Sequence, residues 1–256
     1  MRRLAITTGW AVLLLFTCSQ PARAVFLYDG SLGASPASQS YLTYGSYLTN
    51  PLISAGTLFT VGASSITMDS TSNSTIHSGF IDYNALGTAL QNPSMPALDR
   101  AAGFSVSVTM RTISETHSNN DRAGFSLIAL SSDHQGIEIG FWAGEVWAQN
   151  VNFTKSATED AAFNTTTALT NYTLVVQGTG YTLTENGNPL FSGALRDYSA
   201  SGAIPNVYAL NNFIFFGDDT TSAAGSNEVS NLTLTPEPGS LMLCAACAAA
   251  LLRRRR

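Results

Sequence analysis

The residues best suited to chemistry lie in one short window, GIEIGFWAGEVWAQN, which runs from Gly136 to Asn150. If Ala143-Gly144 forms the tip of a hairpin, strand alternation sends one set of apolar side chains into a core: Ile137, Ile139, Phe141, Val146 and Ala148. The opposite face then collects Glu138, Trp142, Glu145, Trp147 and Gln149, with Gly140 leaving room beside Trp147.

Aromatic rings beside carboxylate and amide groups suit a sugar, because apolar sugar faces stack on rings while hydroxyls take polar partners. We therefore predict a carbohydrate-binding face formed by Glu138, Trp142, Trp147 and Gln149. The alternative is that a neighbouring loop or the N-terminal segment packs over the two tryptophans, since aromatic residues more often serve packing than ligands.

A second candidate site is the stretch GDDTTSAAGSNE, where Asp218 and Asp219 leave a Phe-rich strand and enter a polar loop with Asn227 and Glu228. Carboxylates in a loop are what a hard cation such as calcium needs, so this pair is a possible calcium site, and we expect no other cofactor. The spacing matches no EF-hand loop, and turn or capping roles for both aspartates are the alternative.

The stretch RTISETHSNNDRAGFS holds Glu115, His117, Asp121 and Arg122 in a predicted hairpin loop. Glu with His two residues later can do acid-base work. No second histidine accompanies them, so a solvated loop with an Arg-carboxylate pair is favoured. His77 and His134 are isolated in sequence, which gives a histidine-based zinc site little support.

Enzyme motifs are absent from the sequence. The Glu-x-Asp-x-x-Glu run of laminarinase-type sandwich hydrolases does not occur, and neither does a Gly-x-Ser-x-Gly elbow or a phosphate loop. Glu138 and Glu145 can still approach across the hairpin, which leaves glycan hydrolysis open. We therefore predict that the protein is not an enzyme, with a glycan hydrolase or lyase as the alternative.

Strands must position these residues. FSVSVTMR places Phe104, Val106, Val108 and Met110 on one face and polar residues on the other, which is typical of a half-buried strand. Similar short runs follow, separated by Gly, Asn, Asp and Ser, with no long amphipathic helix. The pattern predicts an all-β, antiparallel two-sheet sandwich over residues 25–235.

Charge and cysteine usage narrow the function further. Residues 25–235 carry sixteen of the seventeen acidic residues and five of the twelve basic ones, which gives this segment a net charge of −11. Such a surface repels phosphate backbones, so nucleic acid is excluded as a partner. The three cysteines lie outside residues 25–235, so no disulfide stabilises this segment.

Both ends of the chain look like targeting signals. Arg2 and Arg3 precede an apolar stretch, and Ala22-Arg23-Ala24 follows it, which predicts a signal peptide over residues 1–24 with cleavage after Ala24. Residues 236–256 consist of a Pro-Glu-Pro triplet, a short apolar run and four arginines: Pro236, Glu237, Pro238, Arg253, Arg254, Arg255 and Arg256. The run from Gly239 to Leu252 is too short for a comfortable span, and the arginines hold the end in the cytoplasm.

These three tail elements, in this order, resemble the PEP-CTERM sorting signal of Gram-negative bacteria. The resemblance implies recognition by an exosortase after passage through the general secretion machinery, cleavage near the triplet, and delivery to the cell surface or extracellular matrix. The inner membrane is then a transient partner through the tail.

The phrases LDRAAGFSVSVTM, DRAGFSLIALSSD, GIEIGFWAGEVWAQ, LFSGALRDY and FIFFGDDTTSA resemble the "choice-of-anchor" domains of PEP-CTERM proteins. The resemblance implies a concanavalin A-like or laminin-G-like jelly roll, flanked here by the signal helix and the C-terminal apolar helix. It implies no catalytic residues. The resulting expectation is an exported, non-enzymatic surface or matrix protein that binds exopolysaccharide, with a purely structural matrix protein as a further alternative.

Overall fold

The computed structural model describes residues 23–48, 53–54, 56–72, 75–85, 87–202 and 206–236. These residues form two antiparallel sheets. Sheet A, with eight strands among the described residues, consists of β1 Val25–Asp29, β4 Phe59–Val61, β5 Ile66–Asp69, β7 Phe104–His117, β12 Thr170–Gln177, β13 Gly180–Glu185, β14 Asn188–Ala194 and β17 Ala223–Pro236. Sheet B, with nine described strands, consists of β2 Thr43–Leu48, β3 Ile53–Ser54, β6 Ile76–Ile81, β8 Ser126–Leu130, β9 Gln135–Phe141, β10 Glu145–Gln149, β11 Lys155–Ala162, β15 Arg196–Asp197 and β16 Phe213–Asp218.

The predicted all-β, antiparallel two-sheet sandwich is confirmed. Helical structure in the described part of the chain is limited to the 3-10 turns Gly30–Leu32, Pro36–Ser38 and Val207–Ala209. None of these is long and apolar enough to cross a bilayer. The predicted signal helix and C-terminal apolar helix fall on residues 1–22 and 237–256, outside the described residues.

Strand order brings distant parts of the chain together. Sheet A runs β14-β13-β12-β7-β17-β5-β4, and β1 pairs with β17 beside β5. Sheet B runs β11-β10-β9-β8-β16-β6-β2-β3, and β15 pairs with β9. The central pair of sheet A is β7 with β17, in register from Ala223 opposite His117 to Pro236 opposite Phe104, with two bulges.

Side-chain alternation places the main core between the sheets. Phe104, Val106, Val108 and Met110 of β7 are fully buried, as predicted from FSVSVTMR. The same core receives the inward residues of sheet B, which include Leu127, Ala129, Ile137, Ile139, Phe141, Val146, Ala148, Ile214 and Phe216. The predicted inward set of the GIEIGFWAGEVWAQN hairpin is thus confirmed.

A second apolar layer covers the outer face of sheet B. Tyr83, Tyr198 and Tyr208 pack there against outward residues of the sheet, among them Ile128 and Phe215. A smaller cluster of Ala123, Trp142 and Trp147 lies beside it. This outer face is therefore partly interior, which the strand pattern alone does not indicate.

Truncating Phe216 to Ala tests how much the inter-sheet core stabilises the fold. The ring is fully buried, 5.2 Å from the ring of Phe80 and 6.3 Å from that of Phe125. We expect Phe216→Ala to lower the free energy of unfolding by about 3–5 kcal/mol, measured by chemical denaturation. The matched control is Phe26→Ala, whose ring is 54% exposed and whose truncation should change stability by about 0.5 kcal/mol or less. Equal losses in the two variants would contradict this picture of the core.

Candidate functional site

The candidate site is built on β9, whose sequence fixes which side chains point outward. Ile137, Ile139 and Phe141 enter the core, so Glu138 and Gly140 must face the outer layer. The hairpin register is the predicted one, since Trp147 pairs with Gly140 and Val146 with Phe141. A Cβ at residue 140 would lie 2.7 Å from the Trp147 ring, so glycine is required for this ring to lie flat on the strand.

The tryptophans do not form an open sugar platform. Trp147 is fully buried beneath Ala123 and Trp142, and Trp142 is only 8% exposed. The Trp142 ring stacks against His117 at 4.4 Å and also receives Lys155, 5.2 Å from its centroid. Its indole N–H donates to the carbonyl of Arg122. Packing by a neighbouring loop, the alternative left open by the sequence, is what the structure shows.

The other two predicted sugar contacts are also buried. Gln149 is 1% exposed, and its amide donates to the carbonyl of Asp121. Glu138 is equally buried and does not pair with Glu145, which binds Lys155 instead. The structure thus brings Glu138, Trp147 and Gln149 to one face, as predicted, but beneath an outer layer that keeps them from direct contact with a polymer.

Glu138 instead belongs to a compact polar group, which we call the acid–tyrosine cluster: Glu138, Tyr208, Asp219 and Arg122. The phenol oxygen of Tyr208 lies 2.6 Å from Oε2 of Glu138 and 3.1 Å from Oδ2 of Asp219. Ser126 donates to the other oxygen of Glu138 at 3.4 Å. The carboxyl group of Glu138 on β9 and that of Asp219, the residue after β16, are therefore linked through one hydroxyl.

The location of the proton in this cluster follows from counting hydrogens. A phenol carries one hydrogen, so it can donate to one carboxyl group and must accept from the other. Burial, followed by the negative charge of Asp219, raises the pKa of Glu138 to about 8, so Glu138 holds a proton at neutral pH. The hydroxyl of Tyr208 thus links a protonated Glu138 to the more exposed Asp219, an arrangement suited to a proton relay that ends at Asp219.

Arg122 supplies the positive charge of the cluster. Its Nη1 lies 3.7 Å from Oε1 of Glu138, and its guanidinium carbon lies 4.7 Å from the ring centre of Phe153. Burial lowers the pKa of Arg122, but Asp219 and Glu138 outweigh this effect and the net direction is upward, so the side chain stays charged. Arg122 thus lies beside Glu138 of β9 instead of forming the predicted pair with a carboxylate of its own loop.

His77 lies on the same outward face next to Asp219. Asp218 of β16 pairs with Ser78 of β6. Asp219 follows Asp218 and His77 precedes Ser78, so both side chains point to the opposite face of the sheet from that pair. Burial lowers the pKa of His77, and the negative charge of Asp219 offsets only part of this effect. The imidazole is therefore uncharged at neutral pH. Asp219, Arg122 and His77 are each partly exposed, which makes them the accessible side of the cluster.

The structure separates the two aspartates of the predicted calcium site. Strand β16 continues through Asp218, so Asp218 points between the sheets while Asp219 points outward. Their carboxylates therefore cannot bind one ion together. Among the described residues there is also no group of three His, Cys, Asp or Glu side chains arranged around a common point.

Tyr208 of the cluster and His77 beside it are the functional residues that sequence reasoning missed. Tyr208 lies in a 3-10 turn without a repeating pattern, 70 residues from Glu138. Glu115 and His117, which the sequence suggested for acid-base work, form a pair at 2.9 Å, but His117 is held against Trp142. The pairing of β6 with β16 is what brings His77 to Asp219, and this pairing depends on the tertiary fold and cannot be read from the sequence.

Comparisons with known proteins give the fold but no family. No family model matches the chain, and no curated protein matches it either. Among solved structures, alginate lyase A1-II′ aligns with 13% identity over 78% of this chain and 96% of its own, with a TM-score of 0.47. The β-glucanase of Bacillus licheniformis is 7% identical over 86% of this chain and 99% of its own, with a TM-score of 0.47. Domain 4 of a GH43 extracellular arabinanase from Geobacillus stearothermophilus is 14% identical over 86% of this chain and 95% of its own, with a TM-score of 0.46.

These comparisons correct one expectation. The sequence predicted a non-enzymatic protein, whereas the solved structures to which this sandwich is similar include polysaccharide lyases and a glucanase, so the comparisons run against that prediction and it is not kept. Likeness at this level is a likeness of fold alone. The reaction has to be argued from the residues of the acid–tyrosine cluster.

Replacing Glu138 by Gln should remove part of the pH dependence of stability. An unfolded carboxyl group titrates near its ordinary value of 4.5 and the folded one near 8, so the folded state holds an extra proton between these values. Stability therefore falls as pH rises through this window, by up to about 1.4 kcal/mol per pH unit. Glutamine cannot ionise, so Glu138→Gln should show a shallower fall by urea denaturation at several pH values.

The difference between Glu138→Gln and the wild type in the pH dependence of stability reports on Glu138 alone. Burial also raises the pKa of Asp82 and of Asp218, and both remain in the variant. An unchanged slope in Glu138→Gln would show that Glu138 does not hold the proton of the relay.

Proposed function

We propose that this protein is a polysaccharide-cleaving enzyme and that its reaction is β-elimination at a uronate residue. The observation that carries the proposal is the partly open patch of sheet B where a charged Arg122, an uncharged His77 and a proton relay ending at Asp219 meet. Elimination from a uronate chain needs a cation, a base and an acid, and this patch contains one of each.

Each residue has a defined role in the proposed step. Arg122 pairs with the carboxylate of the uronate, which makes the adjacent C–H more acidic. His77 takes that proton, the electron pair forms a carbon–carbon double bond, and the bond from the ring to the leaving sugar oxygen breaks. The leaving oxygen takes a proton that Tyr208 passes to it through the carboxylate of Asp219, while Glu138 passes its own proton to Tyr208, so Glu138 ends ionised and His77 ends protonated. The proton on His77 later returns to the relay, which restores the starting state.

Glycoside hydrolysis fits the geometry less well. A hydrolase needs two carboxyl groups separated by about 5–9 Å on either side of the scissile bond. Here Glu138 and Asp219 contact the same phenol oxygen, so the two carboxyl groups are not on opposite sides of an open cleft. Glu138 is also covered by Tyr208 and cannot touch a substrate without rearrangement.

We also propose that this enzyme works outside the cytoplasm as a PEP-CTERM protein and that its sandwich is a concanavalin A-like jelly roll of the choice-of-anchor type. The support is the sequence of the two ends and the ordered phrases between them. Among the described residues, the first strand begins at Val25 and the last strand ends at Pro236, next to the two predicted cleavage positions.

Activity should be assayed with the full chain on uronate polymers such as alginate, polygalacturonate and hyaluronan, with a neutral β-glucan alongside. We expect a rise in ultraviolet absorbance from unsaturated uronate ends, on at least one uronate polymer and not on the glucan. His77→Gln and Arg122→Ala should each lose activity by about a hundredfold or more. Asp219→Asn should lose a similar factor because the relay no longer reaches the substrate.

Matched controls exist for two of these variants. His134→Asn changes a histidine in the turn between β8 and β9, beside Asp197, and introduces a residue that tolerates the positive φ of 66° at this position. Arg111→Ala removes an arginine that pairs with Glu228 on sheet A. Both controls should retain activity. New reducing ends without the absorbance would replace elimination by hydrolysis, and no cleavage of any polymer would overturn the proposed function.

Processing of the ends gives a separate prediction. In bacteria that carry an exosortase, the intact mass of the secreted protein should show loss of residues 1–24 and of the tail after the Pro236-Glu237-Pro238 triplet. Glu237→Ala should leave the tail attached, whereas Glu185→Ala should be processed normally. A secreted protein that keeps both ends would contradict the targeting proposal.

A further inference from the structure

The turn between β10 and β11, residues 150–154, holds an aromatic residue in an unfavourable backbone conformation. Phe153 has a φ of 59°, in the left-handed region. Asn, Asp and His adopt this region more readily than other side chains, whereas a bulky residue there is an outlier. Among the described residues, the other non-glycine positions with positive φ are Ser40, His134, Asn186 and Asn212, none of them apolar. Such an outlier persists only where its surroundings hold it, and outliers of this kind cluster at functional sites.

Hydrogen bonds within the turn hold this conformation. The backbone N–H of Asn150 donates to the carbonyl of Thr154 at 2.8 Å, and that of Phe153 donates to the carbonyl of Asn150 at 2.9 Å. The side-chain amide of Asn150 also donates to Oγ1 of Thr154 at 3.2 Å. From outside the turn, Arg196 donates to Oδ1 of Asn150 at 3.4 Å. The turn thus has a fixed shape, and this shape imposes the backbone conformation of Phe153.

The same turn is tied to the loop that carries Arg122. Asp121, the residue before Arg122, accepts a hydrogen bond on its carboxylate from the backbone N–H of Lys155 at 3.1 Å. Its carbonyl accepts from the side-chain amide of Gln149 at 3.2 Å. Gln149 ends β10 and Lys155 begins β11, so the residues on both sides of the turn hold the loop next to Arg122.

The ring of Phe153 packs against the acid–tyrosine cluster. The guanidinium carbon of Arg122 lies 4.7 Å from the ring centre, and the ring of Tyr208 lies 5.2 Å away. Nη1 of Arg122 has no hydrogen-bond partner among the described residues, and its distance of 3.7 Å to Glu138 is too long for a hydrogen bond. The aromatic face is therefore a main constraint on the plane of the guanidinium.

We propose that Phe153 is a positioning residue for Arg122: its ring holds the guanidinium in the plane from which the free N–H groups meet the uronate carboxylate. A cation is attracted to the face of an aromatic ring, and the planar fork of arginine binds a carboxylate well only when it is correctly oriented. Phe153 acts through Arg122 and takes no part in proton transfer. The inference rests on the proposed elimination and deepens it, because it explains why the turn keeps a bulky residue in a left-handed conformation.

The first test measures the side-chain Nε–H resonance of Arg122 by NMR in the full chain, assigned from its absence in Arg122→Lys. A proton held over an aromatic face is shielded, so the wild type should show an upfield shift that Phe153→Tyr retains. In Phe153→Leu and Phe153→Asn the resonance should move to the position of a freely rotating arginine. Asn suits a φ of 59°, so Phe153→Asn removes the ring while keeping the backbone of the turn.

The second test measures kcat/KM on the uronate polymer that the wild type cleaves. Loss of the ring should lower kcat/KM by about tenfold in Phe153→Leu and Phe153→Asn, whereas Phe153→Tyr should stay within about twofold of the wild type. The matched control is Phe59→Leu. Phe59 is a partly buried ring of β4 that packs against Tyr44 and Phe80, so its variant should retain the wild-type value.

Three results would overturn the inference. An Arg122 resonance that does not move in the two variants without the ring would show that Phe153 does not orient the guanidinium. A resonance that moves without a loss of kcat/KM would show that the reaction does not need this orientation. Failure of Phe153→Tyr to retain both readouts would remove the aromatic face as the cause. A wild type that cleaves no polymer would overturn the proposed function and with it the catalytic role of Phe153, while the resonance would still report whether the ring holds Arg122.

Discussion

The packing of two apolar inner faces against each other determines where every other functional group of this protein lies. Strand residues alternate between faces, so once Ile137, Ile139 and Phe141 are committed to the core, Glu138 has only one direction available. The same rule places Asp218 and Asp219 in different environments, one between the sheets and one outside. A shift of one residue in either strand would move its inward side chains outward and its outward side chains inward, which would disrupt both the core and the cluster.

The outer layer on sheet B gives the acid–tyrosine cluster its chemical character. On a solvent-facing sheet, Glu138 would be an ordinary ionised carboxylate. Beneath Tyr208 and Tyr198 it is removed from water, and the cost of charging it there keeps it protonated. The hydroxyl of Tyr208 makes this burial tolerable, since it gives the carboxyl group a partner at 2.6 Å and connects it to Asp219. Burial keeps Glu138 protonated, and the hydroxyl of Tyr208 links it to the more exposed Asp219.

Local pattern was enough to predict the fold and one hairpin, but not the site. FSVSVTMR and GIEIGFWAGEVWAQN have strict alternation, so their inward residues could be named from the sequence. Alternation says which way Trp142 and Trp147 point, but it cannot say whether another segment covers them, and here the loop around Ala123 does. The two aspartates were misjudged because the strand was expected to end before Asp218, whereas it includes Asp218. Tyr208 reaches Glu138 across 70 residues, and no short-range rule predicts such a contact.

Strand β17 is the last strand of the described sequence, yet it lies in the interior of sheet A, between β7 on one side and β1 and β5 on the other. A chain that emerges with its N-terminus first must therefore hold β1, β5 and β7 without their common partner until residue 236 is available. Such non-local pairing slows folding and leaves strand edges open to other chains in the meantime. Sheet A therefore cannot close until β17 has been synthesised, so the half of the sandwich built from β1, β5 and β7 stays incomplete while the intervening strands are made.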